Sequence, residues 1–203
     1  MEKLPIGIQS FEKLREGKYL YVDKTKEIYQ LITSGNAFFL SRPRRFGKSL
    51  LVSTMEAVFR GKKELFEGLY IYDRWDWSQQ SPVIRLDFGG LSYTSGEELK
   101  TSLTDFVEAT ARTCQLTLDR KALSDKFMEL LEKLHRLTGQ KAVVLVDEYD
   151  KPITDYLSDL ETAEATRQIL HGFYQVLKAA DEHLRFIFLT GVSKFAKVSI
   201  FSG

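Results

Sequence analysis

Four short apolar runs have the length of buried strands: Ala37-Phe-Phe-Leu40, Val83-Ile-Arg-Leu-Asp-Phe88, Ala142-Val-Val-Leu-Val146 and Leu184-Arg-Phe-Ile-Phe-Leu189. Between them lie long stretches with helical spacing. Leu123, Phe127, Leu130, Leu131 and Leu134 recur at helical intervals, and Gly139 follows as a stop. Leu160, Ala163, Ile169, Leu170, Phe173, Val176 and Leu177 line one face of a further helix that ends near His183. Strands joined through helices run parallel, and a parallel sheet must be covered on both faces. The pattern therefore predicts an α/β fold with three layers and a mostly parallel sheet. A chain of 203 residues buries roughly 70% of its unfolded surface. No Pro- or Ser-rich linker, repeat or low-complexity run divides it, so residues 1–203 read as one domain, with 1–35 leading into the core.

The first apolar run continues as Ser41-Arg-Pro-Arg-Arg-Phe-Gly-Lys-Ser49-Leu50 into a helix that is apolar nearly all round. Strand, loop, Gly-Lys-Ser and helix form the context of a P-loop. Arg42, Pro43, Arg44, Arg45, Phe46, Gly47, Lys48, Ser49 and Leu50 make up the expected cradle, in which backbone N–H groups of the loop and the first helical turn point at the phosphates. There the positive end of the helix dipole favours phosphate. Lys48 is expected to reach the β and γ phosphates and to act in catalysis, with the Ser49 hydroxyl on Mg²⁺. Gly-Lys also occurs at Gly17-Lys18 and Gly61-Lys62, but only Gly47-Lys48 has the strand before it and Ser after it. Arg42 stands where the general motif has its first glycine, so the loop takes its own path there. Arg42, Arg44 and Arg45 beside Lys48 repel one another unless an anion lies among them, or unless they turn to solvent or to acidic side chains.

The third run ends in Asp147-Glu148, the Walker B pattern of a buried strand with two carboxylates at its tip. Successive side chains point to opposite faces of a strand, so the two acids serve different roles. Asp147 is expected to hold Mg²⁺ and Glu148 to orient and deprotonate the attacking water. Asp87, at the end of the second run, is a rival metal ligand. After the fourth run, Thr190-Gly-Val-Ser-Lys194 exits at the strand ends, where open α/β sheets bind ligands; Thr190 or Ser193 is placed to sense a γ-phosphate, with Thr190 the preferred catalytic candidate.

Composition removes other classes. The 29 Lys and Arg nearly balance 28 Asp and Glu, so the overall surface is no electrostatic footprint for nucleic acid or for an anionic membrane. The one cysteine, Cys114, permits neither an intrachain disulfide nor a multi-thiolate zinc site, and no apolar run approaches membrane-spanning length. A cytoplasmic setting follows as the expectation. Asn36 is the sole asparagine, so the Asn-Lys-x-Asp guanine motif is absent and adenine is the expected base.

These residues resemble the AAA-ATPase-like proteins of bacteria and archaea. The likeness rests on Tyr21-Val-Asp-Lys-Thr25, Ser41 to Ser49, Glu64-Leu-Phe-Glu-Gly-Leu69, Pro82 to Phe88, Val146-Asp-Glu-Tyr-Asp-Lys-Pro152 and Leu189-Thr-Gly-Val-Ser-Lys-Phe195. Arg42 in place of glycine is similar to that family's own loop. The resemblance implies a P-loop NTPase core in which one strand separates the P-loop strand from the Walker B strand. It also implies a fifth strand, a lid and, in many members, a PD-(D/E)XK nuclease-like region beyond Gly203. The sheet therefore reads as cut before its fifth strand, with the P-loop strand at an edge.

The expected function is Mg²⁺-dependent ATP hydrolysis. The alternative is a module in which ATP gates contact with another copy, an effector domain or a protein partner, with little hydrolysis of its own. A small-acceptor kinase ranks behind both for want of an acceptor pocket. Tyr21 to Thr25 reads as a strand end, with Asp23 capping a helix from about Lys24 to Thr33, and the family resemblance implies that this segment lies near the nucleotide. Tyr70, Tyr72, Trp75 and Trp77 read as a packed strand or hairpin rather than an adenine slot. Arg60-Gly-Lys-Lys63 reads as a helix terminus, and His135, His171 and His183 as scattered surface or satisfied residues.

Overall fold

The computed structural model describes residues 3–193. Lys194 and Phe195, the last residues of the exit motif, lie outside the described residues. Four strands, β1 (Ala37–Ser41), β2 (Val83–Asp87), β3 (Ala142–Asp147) and β4 (Leu184–Gly191), form one all-parallel sheet in the order β1-β4-β3-β2. β4 thus separates β1, which leads into the Gly47-Lys48-Ser49 loop, from β3, which ends in Asp147, and among the described residues β1 has β4 as its one neighbour.

Among the described residues seven α-helices accompany the sheet: α1 (Phe11–Glu16), α2 (Thr25–Ser34), α3 (Lys48–Phe59), α4 (Gly96–Thr113), α5 (Leu123–Thr138), α6 (Lys151–Thr154) and α7 (Leu160–Ala179). β3 is buried along its whole length, and its alternation divides the interior in two. Val143 and Leu145, with Phe186 and Phe188 of β4, pack against α1, α2 and α3. Ala142, Val144 and Val146, with Ile187 and Leu189, pack against α4, α5 and α7. On that second side the Phe127 and Phe173 rings stack with centroids 4.4 Å apart.

The alternation of β4 breaks once. Leu184 and Ile187 face the same side, with Ala142 opposite Leu184 but Val143 opposite Phe186, so Arg185 is an extra residue in the ladder. Its guanidinium Nη1 donates to Gln79 O at 3.1 Å and to Ser81 Oγ at 3.0 Å, and the group lies over the Trp75 and Phe59 rings. Burying a large aromatic layer is what keeps this cation in place.

Several expectations need correction. Residues 21–24 form no strand; α2 starts at Thr25, where Asp23 Oδ1 accepts from Thr25 N at 2.7 Å and Oδ2 from Tyr70 N at 2.8 Å. Asp23 is therefore committed to two backbone segments, not to the phosphate loop. Tyr70 to Trp77 form turns rather than a hairpin, since Trp75 packs edge-on to Phe59 and Trp77 against Phe66, each ring filling core space. Leu160 is 80% exposed because it opens α7 beyond the sheet's cover, and α7 ends at Ala179 with a short 3₁₀ turn (Asp181–His183) after it. The 18-residue α4 has no counterpart in the sequence reading, although Leu99, Leu103, Val107 and Ala111 bury a clean i, i+4 stripe. His135 and His183 are not scattered: their Nδ1 atoms meet at 3.0 Å and tie the end of α5 to the turn before β4.

Candidate functional site

The strand tips, the phosphate loop and the exits of β3 and β4 converge at the C-terminal end of the sheet. β1 leaves the ladder through Arg42, whose N–H donates to Gly191 O at 3.1 Å. The chain then turns through Arg45 at φ 67° and Gly47 at φ 74° before entering α3. Left-handed backbone at Gly47 is free of strain, whereas at Arg45 it costs about 1–2 kcal/mol. Gly47 precedes α3 without a side-chain cap, so the first N–H groups of a 12-residue helix are left to whatever lies in the loop. Lys48 is buried with its ammonium turned inward, donating to the carbonyls of Arg42 at 3.0 Å and Pro43 at 3.1 Å. Those carbonyls hold the cation where a phosphate would compete for it.

Not every loop residue faces that cradle. Arg44 lines a small cleft with Lys48, Glu148, Asp150, Lys151, Thr154, Gly191 and Val192. Pro43, Arg45 and Phe46 are exposed, Phe46 by 67%. Ser49 is half-buried in the first turn of α3, and Leu50 packs its side chain against the α1–α3 core, leaving only its backbone for a ligand. Arg42, Arg44 and Arg45 make no ion pair among the described residues, so their positive charge is not neutralised by neighbouring acids.

At the tip of β3, Asp147 is 1% exposed. Its Oδ1 accepts from the Thr190 hydroxyl in a short contact and from Glu148 N at 3.1 Å, while Oδ2 is buried with no partner among the described residues. A buried carboxylate oxygen without a donor is costly, and a cation is the natural compensation. Among the described residues no three His, Cys, Asp or Glu side chains form a ready-made cage. One carboxylate and one hydroxyl suit Mg²⁺, which keeps waters and takes phosphate oxygens for the rest of its shell. Asp147 and Ser49 therefore fit that ion. Thr190 itself is fully buried, so its hydroxyl acts on Asp147 rather than on a ligand directly.

Glu148 sits at φ 53°, a left-handed conformation that turns its side chain out of the strand line toward the cleft. Burial pushes its carboxyl above the usual range, as do the charges of Asp147 and Asp87, with Lys151 and Lys48 pulling the other way. Asp87 is level with Asp147 in the β2–β3 register, and its Oδ1 accepts from Gly89 N at 2.8 Å. A side chain at position 89 would place its Cβ 2.9 Å from Glu148 Oε2, so the glycine leaves room for the carboxylate. The arrangement offers one carboxylate for a metal, a second of raised basicity, an inward lysine and open helix N–H groups.

Sequence reasoning did not single out Asp150, Lys151, Thr154 or Gly191. Asp150 and Lys151 stand within the Val146 to Pro152 motif, but nothing in spacing or periodicity separates them from an ordinary loop.

A family model for predicted AAA-ATPases matches residues 5–201. An uncharacterized protein encoded in the vnfD 5′ region of Azotobacter chroococcum mcd 1 is 47% identical over all 203 residues of this chain, which spans 39% of that relative's length. No solved structure matches. No helix among the described residues is long and apolar enough to cross a membrane. The match extends over nearly the whole chain, from the segment before α1 through the phosphate loop and the acidic turn, and the chain belongs to the family of predicted AAA-ATPases.

Proposed function

We propose that this chain binds ATP with Mg²⁺ and hydrolyses it. The observation that carries the reading is the buried Oδ2 of Asp147, without a partner among the described residues, at the same end of the sheet as the uncapped N–H groups of α3 and an inward Lys48. Lys48 exchanges the carbonyls of Arg42 and Pro43 for phosphate oxygens and stabilises charge developing on them. Arg44, in the same cleft, adds a second cation beside the phosphates. Bound Mg²⁺, held by Ser49 and Asp147, would supply charge neutralisation on the phosphate chain. Glu148 accepts the proton of the attacking water, and its raised basicity suits that task better than an ordinary carboxylate would. Thr190 positions Asp147 by donating to Oδ1.

The test is single-turnover phosphate release from Mg·ATP with protein in excess, beside equilibrium ATP binding. Lys48→Ala is expected to lose binding. Glu148→Gln is expected to bind ATP as tightly as the parent while release falls about 100-fold or more, the size of effect seen for a general base. Undiminished release by Glu148→Gln would refute the assignment.

A second reading has its own support. Arg42, Arg44 and Arg45 are the only cations of the loop besides Lys48, and no arginine from another element reaches the cleft lining. ATP could then act mainly as a gate for a partner, another copy or an effector domain, with hydrolysis completed by a group supplied in trans. ATP-dependent association that Lys48→Ala abolishes, with negligible release by the isolated chain, would favour it.

A further inference from the structure

The segment that leaves β4, Gly191 to Ser193, is fastened from both sides of the cleft. On the phosphate-loop side, Arg42 N donates to Gly191 O at 3.1 Å and the Ser41 hydroxyl to Val192 O at 3.0 Å. On the acidic side the Asp150 carboxylate, 2% exposed, accepts from Val192 N at 3.0 Å and from Ser193 N at 2.5 Å. Tyr149 adds two bonds, its N–H to Thr190 O at 2.9 Å and its hydroxyl to Ser193 O at 3.0 Å. The fit allows no side chain at Gly191, where a Cβ would lie 2.3 Å from the Tyr149 ring and 2.5 Å from Asp150 Oδ1.

A buried carboxylate aimed at two backbone amides is an expensive way to finish a loop, and its position gives it a use. Gly191 and Val192 line the same cleft as Lys48 and Glu148. Thr190, the residue before them, holds Asp147. Displacing the segment therefore moves the phosphate loop, the Asp147 orienter and the turn bearing Glu148 together. Resting on the ATPase reading above, we infer that Asp150 is a positioning residue: it latches the β4 exit to the acidic turn, so that phosphate held by the loop and the base at Glu148 share one fixed geometry. Asp150 touches no reacting atom. Its effect falls on the rate of the chemical step more than on nucleotide affinity, because the N–H groups that open α3 and the Lys48 ammonium make no bond to Asp150 or to the β4 exit.

Three variants test the latch: Asp150→Ala, which removes both acceptors; Asp150→Asn, whose amide oxygen can keep the amides of Val192 and Ser193; and Gly191→Ala, which parts the latch while leaving Asp150 in place. ATP affinity, single-turnover release and thermal melting are measured on each. The expected pattern is affinity within about 3-fold of the parent throughout, with release slowed about 10- to 100-fold in Asp150→Ala and Gly191→Ala, as a displacement near 1 Å would produce. Asp150→Asn should recover most of that loss. Parent-like release from Asp150→Ala overturns the inference. So does release that follows only the folded fraction in all three variants, because Asp150 would then be a core acceptor and nothing more. If the parent binds ATP and releases no phosphate, the hydrolysis reading fails by itself, and the latch is read from amide hydrogen exchange. Mg·ATP should then slow exchange in residues 147–150 of the parent but not of Asp150→Ala, and equal slowing in both sinks the latch. A parent that binds no ATP overturns both.

Discussion

The helices behind the sheet and the tips of its strands treat local rules differently. α4 begins with Ser95, whose hydroxyl accepts from Glu98 N at 3.2 Å while Glu98 Oε2 accepts from Thr94 N at 2.6 Å. α7 begins with Asp159, which accepts from Thr162 N at 3.1 Å, and α5 ends on Gly139 at φ 65°. At the tips the preferences are reversed. Arg45 and Glu148 adopt positive φ, α3 has no side-chain cap, and a buried carboxylate oxygen has no donor. Glu148 is crowded by Asp147 and Asp87. Single conflicts occur elsewhere, at Gln115 after α4 with φ 58° and at the buried hydroxyls of Thr166 and Tyr174 in α7, but at the tips several gather in one place.

Phe127→Ala should break the comparison most severely on the quiet side. Removing a fully buried ring stacked on Phe173 should cost about 3–5 kcal/mol, seen as a large fall in denaturation midpoint with ATP affinity kept by the folded fraction. Acid should expose another quiet-side device. Burial pushes Glu129 up, but Lys133 and the N–H groups of Arg120 and Asp119 outweigh it and hold the carboxyl at about 2 against an ordinary 4.5. A depressed carboxyl stabilises the fold above its unfolded pKa and loses that contribution as pH falls through its folded one. Melting temperature of the parent should therefore drop between pH 4.5 and 2 more steeply than that of Glu129→Gln. Ser95→Ala should cost about 1 kcal/mol by urea unfolding.

The smallest effect should have the opposite sign. Glu148 carries a raised carboxyl pKa, so its ionised form destabilises the fold near neutral pH. Glu148→Gln should melt about 1–3 °C higher than the parent while losing turnover, and lower melting would contradict the crowding at the tips. By the same logic Asp87→Asn should move the acid limb of the rate profile downward, since one raising charge is gone.

The sheet was legible because its strands are short, mostly apolar runs, with β3 and β4 buried almost throughout, and length together with Gly139 fixed the helix between β2 and β3 that lies nearer β3. α4 escaped notice because its apolar stripe is thin, four residues among Glu, Thr, Lys and Ser, although the Ser95-to-Glu98 box was present in the sequence. The turns from Tyr70 to Trp77 were misread for a different reason. Aromatic residues at spacings of two and three suit a strand, yet here the rings reach into the core from irregular backbone. At the site, Lys48, Ser49, Asp147 and Glu148 stood out because phosphate and metal chemistry demands those types at strand ends. Asp150 did not, because its role is to accept two backbone amides from a segment 42 residues away, and long-range pairing leaves no local pattern.

Arg185 gives the sheet a phase. One extra residue near the start of β4 shifts every later residue by one step against β3, which turns Phe186 and Phe188 to the α3 side and brings Thr190 to the level of Asp147. Drawing Arg185 into the ladder opposite Val143 would leave the composition of the strand unchanged. It would nonetheless invert which side chains face which layer beyond Leu184, and Thr190 would point away from the carboxylate it now holds. The timing of the acidic tip is thus set about five residues earlier, at the opposite end of the strand, by an arginine anchored among aromatic rings.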